Sequence, residues 1–328
     1  MPDTLGSSSG MSRGVRGVVP PSDRAAAPAL TTGASTGKAA GAARGARARR
    51  GPARLPSVKT AVITLVAYVV AVLFLLPYLE MLITSVRPQR ELFDRDYLPH
   101  HFAWSNLTNM WGSAYGILSS VRVSLEIAGG STMLVLLVAL PAAYYTSRHR
   151  FRGRGAFLLL VLATQMLQPT ALIVGIYKEF LSFGLLNINP VWSLMLVNAG
   201  FNLAFAIWIL NAYIGSIPYE LEEAAMVDGH GRLGALMRVT VPLALPGIVT
   251  ALIFTFISAW NEFISALALT TSSNDFPLTV RLDSFIGQYT VDWQHLFGAS
   301  LVATIPVFIL FALIEGRVVG GLTAGSVK

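Results

Sequence analysis

Six stretches of this sequence run for about 20 residues with almost no charge, the length an α-helix needs to cross a bilayer. They fall at roughly residues 60–79, 127–147, 156–177, 190–214, 243–261 with an extension to about 269, and 296–314. Hydrocarbon offers no partner to a bare backbone N–H or C=O, so such runs must satisfy their own hydrogen bonds as helices. Apolar residues make up 54% of the chain and charged residues 12%, about half the charge of a soluble domain. The expectation is an all-α, multi-pass integral membrane protein with six transmembrane helices. The chain has no cysteine, so disulfides and thiolate-bound zinc are excluded.

Charge between the runs sets their direction. Residues 1–59 hold ten Lys or Arg against Asp3 and Asp23, which leaves the rest of the chain close to balanced. This tail is rich in Gly, Ala, Ser and Arg and poor in apolar bulk, so 1–58 is predicted to be a disordered basic cytoplasmic tail. Arg44, Arg47, Arg49, Arg50 and Arg54 crowd its membrane end, which suits contact with anionic membrane lipid. No aromatic residues interleave these basic ones, so nucleic acid is not a predicted partner. Arg148, Arg150, Arg152 and Arg154 fill the short connection between the second and third runs. The positive-inside bias puts that loop, the tail and both termini in the cytoplasm. Residues 87–120, 178–189 and 270–295 then lie outside.

On the inner side, between the fourth and fifth runs, lies a polar segment of about 216–242. Ser216 and Pro218 supply a helix start, and Glu220, Glu222 and Glu223 place negative charge where a helix dipole favours it. Leu221, Ala224, Ala225 and Asp228 share one narrow helical face. Gly229 permits a left-handed turn, and a second helical run with Leu233, Leu236 and Met237 follows. A helix–turn–helix between two spans, with small alanines on one face, reads as a knob on which another protein docks.

The order Glu223-Ala224-Ala225, three residues, Gly229, nine residues, then Val239-Thr240-Val241-Pro242 resembles the coupling-loop motif of ABC transporter permeases of bacterial importers. The valines stand where isoleucine and leucine are usual. Asp228-Gly229, Trp260-Asn261-Glu262-Phe263 and Gly321-Leu322-Thr323-Ala324-Gly325 are similar to the carbohydrate-uptake branch, in particular its maltose-type smaller permease subunit. His230 and Ser326 depart from that branch, where alanine is common. The resemblance covers about 60–328 and implies a six-span permease domain over 59–328 in a bacterial inner membrane. It implies four kinds of partner: a second, homologous permease, an ABC ATPase dimer, an extracytoplasmic sugar-binding protein, and membrane lipid. It also implies that the chain is no enzyme and binds no cofactor, with ATP-Mg held by the partner ATPase. Glu222, Glu223, Ala224, Ala225, Asp228, Gly229 and Pro242 become the candidate ATPase-coupling residues. The segment 270–295, with Tyr289 and Trp293, would reach toward the binding protein, and Gly320–Lys328 toward the ATPase dimer.

Polar residues inside the runs have two readings. Glu126 lies four residues after Arg122, the spacing of an interfacial ion pair. Gln165 and Gln168 precede Pro169, which frees backbone groups. Asn198 and Asn202 share a face of the fourth run, and Asn211 lies near its inner end. Such amides either hold helices together or line a sugar path. Trp260, Asn261 and Glu262 combine an aromatic face, an amide and a carboxylate, which is what binds a sugar. A carboxylate at mid-membrane costs about 2.5 to 3.5 kcal/mol, so Glu262 must meet water, a solute or another subunit.

No Gly-x-x-x-x-Gly-Lys-Ser/Thr phosphate loop occurs, so this chain is not the ATPase. No His-Glu-x-x-His, Gly-x-Ser-x-Gly or His/Cys metal cluster occurs either. A proton- or sodium-coupled secondary transporter is the rival on composition. The absence of clear internal repeats and the docking loop argue against it. The expected function is the permease subunit of an ATP-driven sugar importer, with a sugar alcohol or glycerol phosphate as alternative substrates.

Overall fold

The computed structural model describes residues 58–323, apart from 93–95, 97, 98 and 113. The basic tail, through residue 57, and residues 324–328 of the C-terminal tail lie outside the described residues. Within 58–323 the protein is helical, and one bridge between Ile286 and Val291 is the only β pairing among the described residues.

Four helices are long and apolar enough to cross a bilayer: α1 (Val58–Ser85), α3 (Ile117–Arg148), α7 (Pro190–Ser216) and the Trp293–Leu313 part of the last helix. Helix α2 (Ser105–Asn109) lies between the first two. Between α3 and α7 come α4 (Arg154–Thr164), α5 (Pro169–Ser182) and the single turn α6 (Leu185–Ile188). After α7 the chain forms α8 (Glu220–Val227), α9 (Arg232–Ala235), a wide π turn at Leu236–Thr240, α10 (Val241–Leu243) and α11 (Leu245–Trp260). Helices α12 (Ile264–Leu269), α13 (Leu278–Asp283) and α14 (Trp293–Thr323) complete the order.

Two of the expected spans are broken. The α4–α5 pair bends by 92°, because Pro169 cannot donate to the preceding turn and pushes Gln168 into extended backbone (φ −70°, ψ 134°). The run from Arg232 to Leu243 meets α11 at 74°. There Pro242 and Pro246 each remove a helical donor, and the ladder widens into the π turn. Counting each bent pair as one crossing gives six. The fifth run's extension is also interrupted, at Asn261–Phe263, before α12.

Helices α3, α7 and α11 form the centre. Val135, Ala139 and Ala143 of α3 meet Ala206, Leu210 and Ile214 of α7 and Ala251 of α11. Small side chains let these backbones approach, which is how helices associate where lipid removes the usual hydrophobic drive. A second cluster joins Val123 and Ile127 of α3 to Leu194 and Val197 of α7, Ile173 of α5 and Ala266 of α12. Helix α1 lies against α14 and is otherwise exposed along its apolar stretch, a surface suited to lipid or another subunit.

Gly247 marks the tightest approach in the centre. A Cβ there would fall 2.4 Å from Tyr213 Cγ on α7, near the root of that side chain, where rotation cannot relieve the clash. Gly247→Ala should therefore destabilise the α7–α11 contact by about 1–3 kcal/mol. A thermal melt of the detergent-purified protein would register this as a lowered midpoint.

Candidate coupling site and solute path

Helix α7 ends because Pro218 forces Ile217 into extended backbone (φ −80°, ψ 125°). Ser216, expected at the start of the next helix, instead turns back on α7 and donates to Tyr213 O (2.7 Å). Helix α8 starts two residues after the proline with no side-chain cap. It ends at Gly229, whose φ of +89° lies in the left-handed region that favours glycine. His230 N then donates to Ala225 O (3.1 Å), and α9 follows.

The candidate coupling residues divide between two faces of α8. Glu223, Ala224, Asp228 and Gly229 are exposed, together with Leu221. Glu222 and Ala225 are buried and face the rest of the chain. On either side of the turn, Val227 at the end of α8 is 87% exposed and Leu233 of α9 72%, large apolar side chains with nothing covering them. Pro242 sits in the bend below the π turn.

Glu222 is 1% exposed and is the acceptor at the middle of a buried polar cluster. Arg148 Nε, at the end of α3, donates to its Oε1 (2.8 Å), and Thr240 Oγ1 donates to the same oxygen (2.7 Å). Tyr144 Oη donates to Oε2 (3.0 Å). Arg148 in turn donates through Nη1 to Ile217 O (2.9 Å) and lies 5.7 Å over the Tyr219 ring. A buried ion pair repays its desolvation only when its remaining lone pairs and protons are also engaged; both carboxylate oxygens are engaged here, while Arg148 Nη2, 2.6 Å from Oε1, has the ion pair but no hydrogen bond. In the sequence Arg148 stands out only as one of four arginines in a short loop, and nothing local marks this pairing. The available signal was a third acid in a short loop, facing an arginine at the inner end of an apolar run.

The candidate path residues do not converge on one site within this chain. Gln165, at the α4–α5 break, reaches α7: with its amide assigned to suit its neighbours, its nitrogen donates to Phe201 O (3.0 Å) and its oxygen accepts from Phe205 N (3.2 Å). Gln165 also edges a groove of about 350 Å³ lined by Thr164, Leu167, Leu196, Gly200 and Phe201. Gln168 is exposed at the start of α5. Asn198 and Asn202 are 3% and 5% exposed and donate to Leu194 O and Asn198 O on their own helix (2.9 Å each). Asn211 donates to Thr146 Oγ1 on α3 (2.7 Å). Trp260 is buried, with Nε1 donating to Ala303 O of α14 (3.1 Å). Asn261 is exposed and bonds Ile257 O (2.9 Å).

Glu262 has a local task. Its carboxylate accepts from Ser265 N (2.8 Å) and Ala266 N (3.0 Å), capping α12. Its own carbonyl accepts from Thr279 Oγ1 (2.8 Å), which fastens the break to α13. Glu262→Ala should therefore cost about 0.5–2 kcal/mol of stability, visible as a lowered melting midpoint before any solute is added.

At the end of α3 remote from Arg148, roughly 40 Å away at 1.5 Å per residue, a second groove of about 650 Å³ opens. Ser119, Arg122, Glu126, Asn189, Trp192 and Asp275 line it. Arg122 Nε and Glu126 Oε1 form the expected pair at 2.8 Å. Trp192, exposed beside these polar groups, was not singled out from sequence because one tryptophan near the start of an apolar run is unremarkable.

Residues 135–318 match the family described as binding-protein-dependent transport system inner membrane component. The chain is 30% identical over 260 residues to the inner membrane ABC transporter permease protein YcjP of Escherichia coli K12, covering 78% of this chain and 92% of that protein. It is 29% identical over 261 residues to the diacetylchitobiose uptake system permease protein NgcG of Streptomyces coelicolor, covering 79% of this chain and 85% of that protein. Among solved structures, a chain of a bacterial ABC transporter involved in the import of the acidic polysaccharide alginate superposes with a TM-score of 0.67 at 23% identity. That match covers 80% of this chain and 98% of the other, and the likeness is one of fold.

Proposed function

This chain belongs to the family of binding-protein-dependent transport system inner membrane components, and from that premise we propose how it works as a permease subunit of an ATP-driven sugar importer. It forms half of the transmembrane pathway, with a second, homologous permease supplying the other half. The α4–α5 pair counts as one span, and α11 with the Arg232–Leu243 run leading into it as another, so the chain crosses the inner membrane six times with both termini in the cytoplasm. The basic loop 148–154 and the α8–Gly229–α9 knob lie on that cytoplasmic side. An ABC ATPase dimer binds ATP-Mg and docks on the knob, and this chain carries no cofactor of its own. An extracytoplasmic sugar-binding protein delivers an oligosaccharide or disaccharide at the far end, where Trp192 and the Arg122–Glu126 pair sit beside a polar groove.

The observation that carries this reading is the knob's exposed apolar face. Val227 and Leu233 are left in the open on a loop whose base is firmly bonded to the bundle. On a loop held outside the lipid, large apolar side chains left uncovered suit a protein contact. Closing of the ATPase dimer on ATP would draw the two permeases' knobs together and rock the spans from inward- to outward-facing, a rigid-body route to alternating access. The path residues' separation within one chain fits a pathway completed by the second subunit.

Reconstituted with its partners in proteoliposomes, the protein should take up sugar only with ATP-Mg, at a rate unchanged by ionophores that collapse proton and sodium gradients. Uptake driven by an ion gradient without ATP would contradict this reading. A cysteine at Ala224, on the exposed face, should crosslink to the ATPase, whereas Ala225 faces inward. Gly229→Val forces a β-branched residue into left-handed backbone, at about 1–2 kcal/mol. An added Cβ there meets open space, so the protein should still insert while uptake falls more than tenfold.

A further inference from the structure

The knob has two covalent connections to the spans, and both are weak. One is the non-helical link Ile217–Tyr219, opened by Pro218. The other is the π turn at Leu236–Thr240, which leads into the 74° bend. A load applied to Val227 or Leu233 would be absorbed by bending at these two points unless something bridges them. The Glu222 cluster bridges both: Arg148 holds Ile217 O on one side, and Thr240 Oγ1 reaches Glu222 from the other. Tyr144 and Arg148 carry the bridge into the last turns of α3. There Ala143 and Thr146 are fastened to α7 by packing and by Asn211.

We propose that Arg148, Tyr144 and Thr240 are positioning residues which, through the buried carboxylate of Glu222, make the knob and the inner end of α3 one rigid piece. Movement of the knob is then delivered into the α3–α7–α11 centre rather than lost at the two links. This deepens the importer reading and rests on it. The residues touch neither nucleotide nor solute. Their role is to keep ATPase closure and span rearrangement in step.

The test uses the complete transporter purified with its partner subunits, carrying Leu167→Cys at the α4–α5 groove as the only cysteine of this chain. Maleimide labelling is measured without nucleotide and after trapping with ATP-Mg and vanadate. In the parent protein trapping should change the labelling rate at least fivefold. Tyr144→Phe combined with Thr240→Val removes two hydroxyl donors while keeping shape, so assembly and trapped nucleotide should stay within twofold of the parent. The labelling change should nevertheless fall below twofold. Arg148→Met should uncouple further, and Arg148→Lys should recover at least half of the parent response.

Should Arg148→Met fail to assemble, the hydroxyl-deletion pair decides alone. Unaltered labelling in that pair, or trapped nucleotide falling in proportion to assembled complex, overturns the proposal and leaves the importer reading standing. A parent protein whose labelling ignores ATP and vanadate overturns the importer reading and the inference with it.

Discussion

Burying the Glu222 carboxylate is costly, and the way that cost is offset organises the end of the bundle that carries the α8–α9 loop. Removing a single charge from water costs several kcal/mol, which a lone partner seldom returns. Here three donors from two separate parts of the chain meet on the two oxygens, and the arginine among them is itself held by a backbone carbonyl. A polar group so enclosed fixes where its neighbours lie, because any displacement leaves it unpaired in a medium of low dielectric. The α8–α9 loop is therefore anchored at its base and uncovered at its tip.

The rest of the chain alternates stiff and compliant parts. Helices α3, α7 and α11 make a close-packed block in which alanines and Gly247 allow backbone contact. Around it the apolar runs are interrupted at the 92° break before Pro169, at the 74° bend near Pro242 and Pro246, and at Asn261–Phe263. Each break frees backbone groups. At the last one Glu262 accepts from Ser265 N and Ala266 N and so caps α12, and near Pro242 the ladder widens into the π turn. Broken helices are tolerated at membrane depth only with such compensation.

Much of this was legible in the sequence. Apolar runs located every long helix, since length without charge is a strong signal in lipid, and Gly229 gave the turn between α8 and α9. The 92° bend was not legible: Pro169 announced freed backbone groups but not an angle. Ser216 misled because a serine before a proline reads as a cap, whereas the proline acted on Ile217 and ended the preceding helix. Asn198, Asn202 and Trp260 left two readings open: Trp260 bonds across to α14, whereas the two buried asparagines bond only to their own helix. The pairing of Glu222 with Arg148 spans 74 residues, and no local pattern encodes it.

The central claim is that the α8–α9 loop and the Arg148 end of α3 move as one body. The most direct measurement is a pulsed spin-label distance between cysteines placed at Arg150 and Arg232 in this otherwise cysteine-free chain. It would be read in the complete transporter with and without ATP-Mg and vanadate. The account predicts a distance constant to within about 2 Å, the scale of small helix adjustments. A shift of about 5 Å or more, a full helical turn, would contradict it.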